Sequence, residues 1–245
     1  MADTLLTVQG LGKRFGGFIA LDGIDLEVRA GERVGLIGPN GSGKSTLVNC
    51  LSGILQNEDG SVRFDGTALD GLPAHRRTHL GLARSFQLPK PFGSLTVAEN
   101  LRIPLLYTVD GRNGVHLSES DIAQRCEALL GMVALDGKAR ARPKDLTQIE
   151  MRKLELARAV AAAPKLLIAD EAMAGLSHSE VDDIIALLLK LNEAGIAVIL
   201  IEHIMRAVMS FSERLVVLVA GRKIADGVPQ EVVNNPEVVR AYLGE

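Results

Sequence analysis

Gly38-Pro39-Asn40-Gly41-Ser42-Gly43-Lys44-Ser45 carries two glycines, a lysine and a hydroxyl at the spacing G-x-x-x-x-G-K-[ST], and that spacing serves phosphate binding. The glycines let successive backbone N–H groups turn inward as an anion nest, and a helix starting there adds partial positive charge. Lys44 would reach the β- and γ-phosphates of a nucleoside triphosphate and Ser45 the accompanying Mg2+, with Thr46 among the nucleotide-binding residues. Average residue usage produces the pattern by chance in a chain of this length at about the one-in-a-hundred level. A second candidate is Lys165-Leu166-Leu167-Ile168-Ala169-Asp170-Glu171, an apolar strand ending in two carboxylates. Asp170 suits Mg2+ held through water, and Glu171 suits a general base that polarises an attacking water. Adjacent carboxylates at a strand end are often only a solvated edge. Here the strand is expected to pair beside the loop strand, at the carboxyl ends where open α/β sheets take ligands. His203, just after an apolar run at residues 197–201, would end at the same edge.

The elements that must position these groups are legible as short apolar runs rich in β-branched residues, alternating with longer helical patterns, which predicts βαβ units and a mostly parallel sheet. The runs are residues 33–37, 166–169, 197–201 and 215–219, and a helix is expected over residues 45–51, directly after the glycine loop. Residues 6–8 and 24–28 read as strands of a small antiparallel flap joined through the turn at Gly16-Gly17. Between Pro89 and Pro164 no buried strand is evident, and helical patterns occupy residues 97–106, 118–132 and 150–163. Ser118-Glu119-Ser120-Asp121 supplies capping chemistry for the middle one. Residues 108–116, with Asp110, Gly111, Asn113 and Gly114, read as an exposed loop.

Composition excludes several classes. The 245 residues carry a formal net charge of −3, no Trp and 3% aromatics, so neither a broad basic field nor stacking platforms for nucleic acid are present. Cys50 and Cys126 lack metal-ligand spacing and read as buried free thiols. The longest apolar stretches, at residues 196–201 and 215–220, fall far short of the roughly 18 residues a membrane span needs. The N-terminus lacks a secretory layout, so a cytoplasmic location is expected.

In the order and spacing of these landmarks the chain resembles the ATP-binding cassette (ABC) family along essentially its whole length. The resemblance implies an α/β fold: a P-loop NTPase (ABC ATPase) core with a mostly parallel sheet, a small antiparallel β-subdomain and an inserted helical subdomain. It implies one ABC ATP-binding domain over residues 1–245, with 1–88 and 165–245 as the catalytic RecA-like core with its β flap and about 89–164 as the helical subdomain. Phe15 matches the aromatic that stacks on adenine. Gln87, in Arg84-Ser85-Phe86-Gln87, matches the glutamine that touches Mg2+ and water while coupling to the membrane partner, and His203 matches the histidine at the γ-phosphate. Arg152-Lys153-Leu154-Glu155-Leu156-Ala157-Arg158-Ala159 resembles the helix after the family signature, which places the signature at Leu146-Thr147-Gln148-Ile149-Glu150. Ala174-Gly175-Leu176-Ser177 matches the loop after the carboxylates that communicates between two sites.

Two of these segments depart from the family pattern. The signature usually reads LSGGQ; here both glycines are gone, Thr147 retains a hydroxyl, and β-branched Ile149 would resist a positive-φ backbone. Ser177 stands where many relatives have aspartate. The combination, together with Ile201 to Met209 and the tail VVRAYLGE, resembles the ATPases of branched-chain amino acid importers. That implies ATP and Mg2+, a second and different ABC ATPase subunit, two transmembrane permease subunits and, indirectly, a substrate-binding protein outside the cell. It also implies a peripheral place on the inner face of the cell membrane. A lipopolysaccharide-export-type ATPase, a soluble ABC protein without membrane partner, and a module that binds but does not hydrolyse ATP remain open as alternatives.

Overall fold

The computed structural model describes residues 3–86, 88–110 and 112–243; Gln87 and Gly111 lie outside the described residues. The chain opens as a hairpin of β1 (Thr4–Phe15) and β2 (Phe18–Arg29), closed by the two-residue turn Gly16-Gly17. The hairpin is longer than the flap expected from the sequence, but its inner half is the expected one. In β2, Ile24, Leu26 and Val28 are buried while Asp25, Glu27 and Arg29 are exposed, the period-two pattern of a sheet with one wet face. Then come β3 (Arg33–Ile37), α1 (Lys44–Ser52), β4 (Asp59–Phe64), β5 (Thr67–Ala68), α2 (Ala74–Leu80) and β6 (Leu82–Ser85). The helical stretch contains α3 (Val97–Pro104), α4 (Glu119–Met132) and α5 (Gln148–Ala161), with no strand between them among the described residues. The chain ends with β7 (Leu166–Asp170), α6 (His178–Glu193), β8 (Ala197–Ile201), α7 (Met205–Phe211), β9 (Arg214–Val219), β10 (Arg222–Gly227), α8 (Pro229–Val233) and α9 (Pro236–Leu243).

Two sheets result. An antiparallel one runs β2-β1-β4-β5, and the six-stranded one runs β10-β9-β3-β8-β7-β6. All neighbours in the second pair in parallel except the β9–β10 hairpin. The order corrects one expectation: the strand ending in Asp170 does not lie beside the loop strand. β8 lies between them, because its five buried residues need a paired neighbour on both sides. Register keeps the expected convergence, however, since Ile201 stands opposite both Leu36 of β3 and Asp170 of β7. β6 escaped the sequence reading because it is four residues long and carries Arg84 in its middle.

Alternation along the central strands divides the core. Leu36, Leu166, Ile168, Ala197, Ile199 and Ile201 face the antiparallel sheet and α1, whereas Leu167, Ala169, Val198 and Leu200 face the cluster built by α3, α4, α5 and α6. Residues 108–116 are not wholly exposed: α3 runs on from Pro104 into a wide turn, Leu105–Val109, and both Thr108 and Val109 are buried. Val109 is apolar and packs into the helical cluster, which draws the start of the segment inward. Ser118 caps α4 through a reciprocal pair with Asp121, as its sequence suggests. Cys50 and Cys126 are free and buried.

The helix that opens at the glycine loop is anchored at its far end by a charge. Arg77 of α2 is fully buried, and its guanidinium donates to Cys50 O at 2.6 Å, Leu51 O at 3.0 Å and Leu72 O at 2.9 Å. It satisfies carbonyls that the last turn of a helix otherwise leaves unpaired. Arg77→Met, which keeps the bulk and removes the donors, is expected to lower the unfolding free energy by roughly 1–3 kcal/mol, as measured by urea denaturation.

Candidate functional site

Local packing explains both motif glycines. A Cβ on Gly38 would sit 2.1 Å from Leu218 O and 2.6 Å from Ser42 Oγ; on Gly43, where φ is 103°, it would sit 2.8 Å from Ala20 O. The loop is therefore pressed between β9 and β2 with no room for a side chain at either position. Its turn is held by Ser42 N–H donating to Pro39 O and Gly221 N–H donating to Ser42 O, at 3.2 and 3.0 Å. α1 follows with no side-chain cap and no acidic residue in its first turn, whereas α3, α4, α5 and α6 each carry a capping box. Its first amides and its dipole thus face the loop unmasked by side chains of its own.

Lys44 is nearly buried and folds back over the loop, its Nζ donating to Gly38 O at 2.8 Å and Pro39 O at 3.0 Å. Burial pulls its pKa down, an effect opposed by the negative charges of Glu171 and Asp170. The loop from Asn40 to Thr46 lines a cleft of about 230 Å³ whose other walls are Phe18, Ala20, Glu171 and His203. Groups from four separate stretches of chain thus meet across three strands. Phe15 and Phe18 pair across the hairpin, and it is Phe18 that lines the cleft; Phe15 lies under the Lys13 ammonium, 5.5 Å from its ring centre. The turn at Gly16-Gly17 was the available sign that these two aromatics belong together.

Glu171 takes up left-handed backbone, φ 48°, just beyond β7, and its N–H donates to Ile201 O at 2.9 Å. Its Oε1 lies 2.9 Å from His203 Nε2. Asp170 is buried at the strand end and pairs with Arg84, Nη2 to Oδ2 at 2.6 Å. The same guanidinium donates to Asn49 Oδ1 of α1 at 2.7 Å. Arg84 was visible only as part of the run ending at Gln87, which itself lies outside the described residues. Glu202 is buried, accepts the N–H of Met173 at 2.8 Å, and is pushed up to about 7 by burial, with a further upward push from the charge of Glu171. From the far end of the chain, Tyr242 of α9 has its phenol pKa raised by burial, with the backbone of Gly38 acting against the rise. Nothing local in the sequence signalled either residue, since both act through partners far away along the chain.

The segment from Leu146 to Glu150 does not line this cleft. Thr147 caps α5: its Oγ1 accepts Glu150 N–H at 3.3 Å, and Glu150 accepts Thr147 N–H at 2.8 Å. Ile149 lies inside that helix and packs against the core, so no positive φ is asked of it and the anticipated strain does not arise. Gln148 and Arg152 both donate to Ala174 O, at 3.3 and 3.1 Å, which ties the segment to Ala174-Gly175-Leu176-Ser177. Gly175 has φ 79° in that loop, and Ser177 is the N-cap of α6, bonded reciprocally to Glu180. A serine at this place serves the cap.

Comparison with known proteins decides the family. Residues 21–174, more than half of the chain, match the ABC transporter family. The chain belongs to that family. It is an ATP-binding cassette, an ATPase. Residues 222–245 match the C-terminal segment described as branched-chain amino acid ATP-binding cassette transporter. The high-affinity branched-chain amino acid transport ATP-binding protein BraF of Pseudomonas aeruginosa is 38% identical over 254 residues, and LivG of Escherichia coli, with the same description, is 36% identical over 258, all of each chain being covered. A crystal structure of an ATP-binding cassette in its ADP conformation superposes with a TM-score of 0.87 at 31% identity, over 99% of this chain and 100% of that one. A dimeric cassette in a post-hydrolysis state, bound to ADP and Pi, superposes with a TM-score of 0.81 at 26% identity, over 92% and 99%.

Within this cassette the buried Glu202 makes stability depend on pH with a defined sign. Its carboxyl is raised from 4.5 to about 7 in the fold, so below 4.5 it is protonated folded or unfolded and burial is free of charge cost. As pH rises from 4.5 to about 7 the unfolded chain ionises while the folded chain still holds the proton, so stability is lost across that window and levels off above it. Glu202→Gln is expected to remove this dependence. The unfolding free energy of the variant minus that of the wild type should grow in the variant's favour between pH 5 and 8, by on the order of 3 kcal/mol, in denaturant titrations at each pH.

Proposed function

We propose that this cassette powers an importer of branched-chain or related amino acids. Residues 38–46 hold the phosphates of ATP, the Phe15–Phe18 pair provides the adenine platform, and Glu171 and His203 carry the hydrolytic chemistry. The observation that carries the hydrolytic reading is the Glu171–His203 contact of 2.9 Å on the wall of the cleft formed by residues 40–46. Lys44 leaves its two loop carbonyls for the phosphate oxygens, a move from neutral acceptors to charged ones that strengthens its hydrogen bonds. Glu171 orients the attacking water and takes its proton, and His203 donates to the γ-phosphate as negative charge develops there.

The donors near the cleft fit Mg2+: a hydroxyl at Ser45 and a carboxylate at Asp170 are hard oxygen groups, with Gln87 the expected third contributor. Among the described residues no three His, Cys, Asp or Glu side chains cluster as a protein-only cage, which suits an ion that takes its other ligands from phosphate and water. When bound, Mg2+ would supply positive charge that offsets the charge of the phosphates. Arg84 takes Asp170 Oδ2, and Oδ1 would be the oxygen left to serve the ion.

The division of labour follows the chain, with residues 1–88 and 165–245 as catalytic core and about 89–164 as the helical subdomain that presents α5 to a second cassette. Full-length similarity to BraF and LivG supports amino acids as the cargo and two permease subunits plus an external binding protein as partners. Among the described residues no helix is long and apolar enough to cross a membrane, and the chain works as a peripheral subunit on the inner membrane face. Glu171→Gln is expected to leave ATP affinity within about threefold of wild type and to reduce turnover and amino-acid uptake by at least about 100-fold, measured by nucleotide titration, phosphate release and uptake by the assembled transporter. Wild-type turnover in that variant would rule out Glu171 as the base.

The altered signature makes a second copy of this chain a poor complement and favours a different cassette as partner. Glu150 places a carboxylate on the Thr147 amide at the very N-terminus that would face the partner's γ-phosphate, and that amide bond holds the carboxyl below its ordinary range and charged. Glu150→Gln keeps the reciprocal cap and removes the charge. It should raise turnover at the site this segment completes several-fold, read with the chain's own loop silenced by Lys44→Ala.

A further inference from the structure

Left-handed backbone is disfavoured for any residue with a Cβ, and Glu171 adopts it at φ 48°. Such a conformation persists only where the surroundings over-determine it. The end of β8 does this at two points. Ile201 O takes the Glu171 N–H at 2.9 Å, extending the β7–β8 pairing one residue beyond Asp170. The next residue, Glu202, turns its side chain inward to 4% exposure, and its Oε1 takes the Met173 N–H at 2.8 Å. The turn between these anchors closes by Ala174 N–H donating to Glu171 O at 3.3 Å.

Met173 is itself fully buried, so its amide needs an acceptor inside the protein. The Glu202 carboxyl provides it, and Glu202 directly precedes His203, the residue whose Nε2 meets Glu171 Oε1 at 2.9 Å. One buried side chain therefore ties the turn that carries Glu171 to the backbone that carries His203. What the position requires is an acceptor oxygen; the negative charge is incidental, because burial already drives the carboxyl toward its neutral form.

We propose that Glu202 is a positioning residue for hydrolysis, a brace that holds Glu171 in its left-handed conformation with its carboxylate set against His203. It rests on the reading of Glu171 and His203 as the hydrolytic pair. Removing the brace frees the turn to relax toward ordinary backbone and swings the Glu171 carboxylate away from the attacking water. The phosphate loop lies on another strand and is untouched, so binding and turnover separate. A misplacement of about 1 Å in a catalytic group costs on the order of a hundredfold in rate.

The test compares Glu202→Met, of similar length but without an acceptor, with Glu202→Gln, which keeps one, and with Glu171→Gln, all in the full-length chain assembled with its transporter subunits. Glu202→Met is expected to lower kcat at least tenfold with the affinity for a non-hydrolysable ATP analogue within about threefold of wild type, and Glu202→Gln to recover most of the turnover. Hydrogen exchange of the Met173 amide reads the brace directly: it should be protected in the wild type and in Glu202→Gln, and open in Glu202→Met. If Glu202→Met fails to fold, wild-type and Glu202→Gln exchange still decide, since a Met173 amide exchanging at the rate of an open loop in both overturns the brace. Turnover of Glu202→Met within twofold of wild type overturns it too, as do kcat and affinity falling together. Should Glu171→Gln stay active while Glu202→Met is slow, the base assignment fails and the positioning role stands, acting through His203; activity in both sinks both.

Discussion

Everything in the site hangs on where β8 ends. Ile201 stands opposite Leu36 on one side and Asp170 on the other, so one residue sets the level at which the loop strand and the carboxylate strand stop. Parallel strands about 4.8 Å apart would otherwise be free to stagger, and a one-residue slip would turn every inward side chain to the opposite face. The alternating burial of 166–169 and 197–201 against two different apolar clusters forbids that slip. Hydrophobic patterning that has no chemistry of its own thus fixes the relative height of Lys44, Asp170, Glu171 and His203. Past the last paired residues the geometry passes to hydrogen bonds, beginning with Ile201 O on the Glu171 amide.

Those hydrogen bonds make an unusually polar rim for an apolar sheet. Arg84, Asp170, Lys44 and Glu202 are all largely buried, and each has partners, since a charge left unpaired in such surroundings is far more costly than a neutral gap. The partners are chosen so that they can be exchanged. Lys44 rests on neutral carbonyls, which an anion displaces readily, while Arg84 holds one oxygen of Asp170 and leaves the other. Glu202, by contrast, serves the backbone amide of the fully buried Met173. The first two contacts suit groups that must respond to a ligand, and the third suits one that must not move.

How much of this could be read from the sequence follows from the range of each interaction. The glycine loop, its flanking strand and helix, the capping residues Ser118 and Asp121, and the two carboxylates are all set by neighbours within a few positions, and they are legible. The placing of the Asp170 strand beside the loop strand failed because adjacency in a parallel sheet is decided by which strand is buried on both edges, and β8 fills that role. β6 is hidden by its brevity and its arginine, although that arginine is what couples α1 to Asp170. Phe18, Glu202 and Tyr242 matter through neighbours distant in the chain, from 22 positions for Phe18 and Asn40 on the cleft wall to 204 for Tyr242 and Gly38, and no local pattern distinguishes them from an exposed aromatic, a charged loop residue and a tail tyrosine.

The altered signature shows the same logic from the other side. Loss of two glycines looks damaging if the segment must adopt special backbone, yet α5 begins at Gln148 and holds Ile149 in ordinary helical geometry. Loss of the glycines therefore leaves no backbone strain at Ile149, and what Glu150 adds is charge: it accepts the Thr147 N–H and sets a carboxylate at the positive end of the helix dipole. At the same time Gln148 and Arg152 clasp Ala174 O, one residue beyond the amide that Glu202 holds. The N-terminus of α5 and the turn that carries Glu171 are thus joined at two adjacent residues, Met173 through its N–H and Ala174 through its carbonyl. The connection is made by side chains, one of which, Gln148, stands at a position where LSGGQ has glycine.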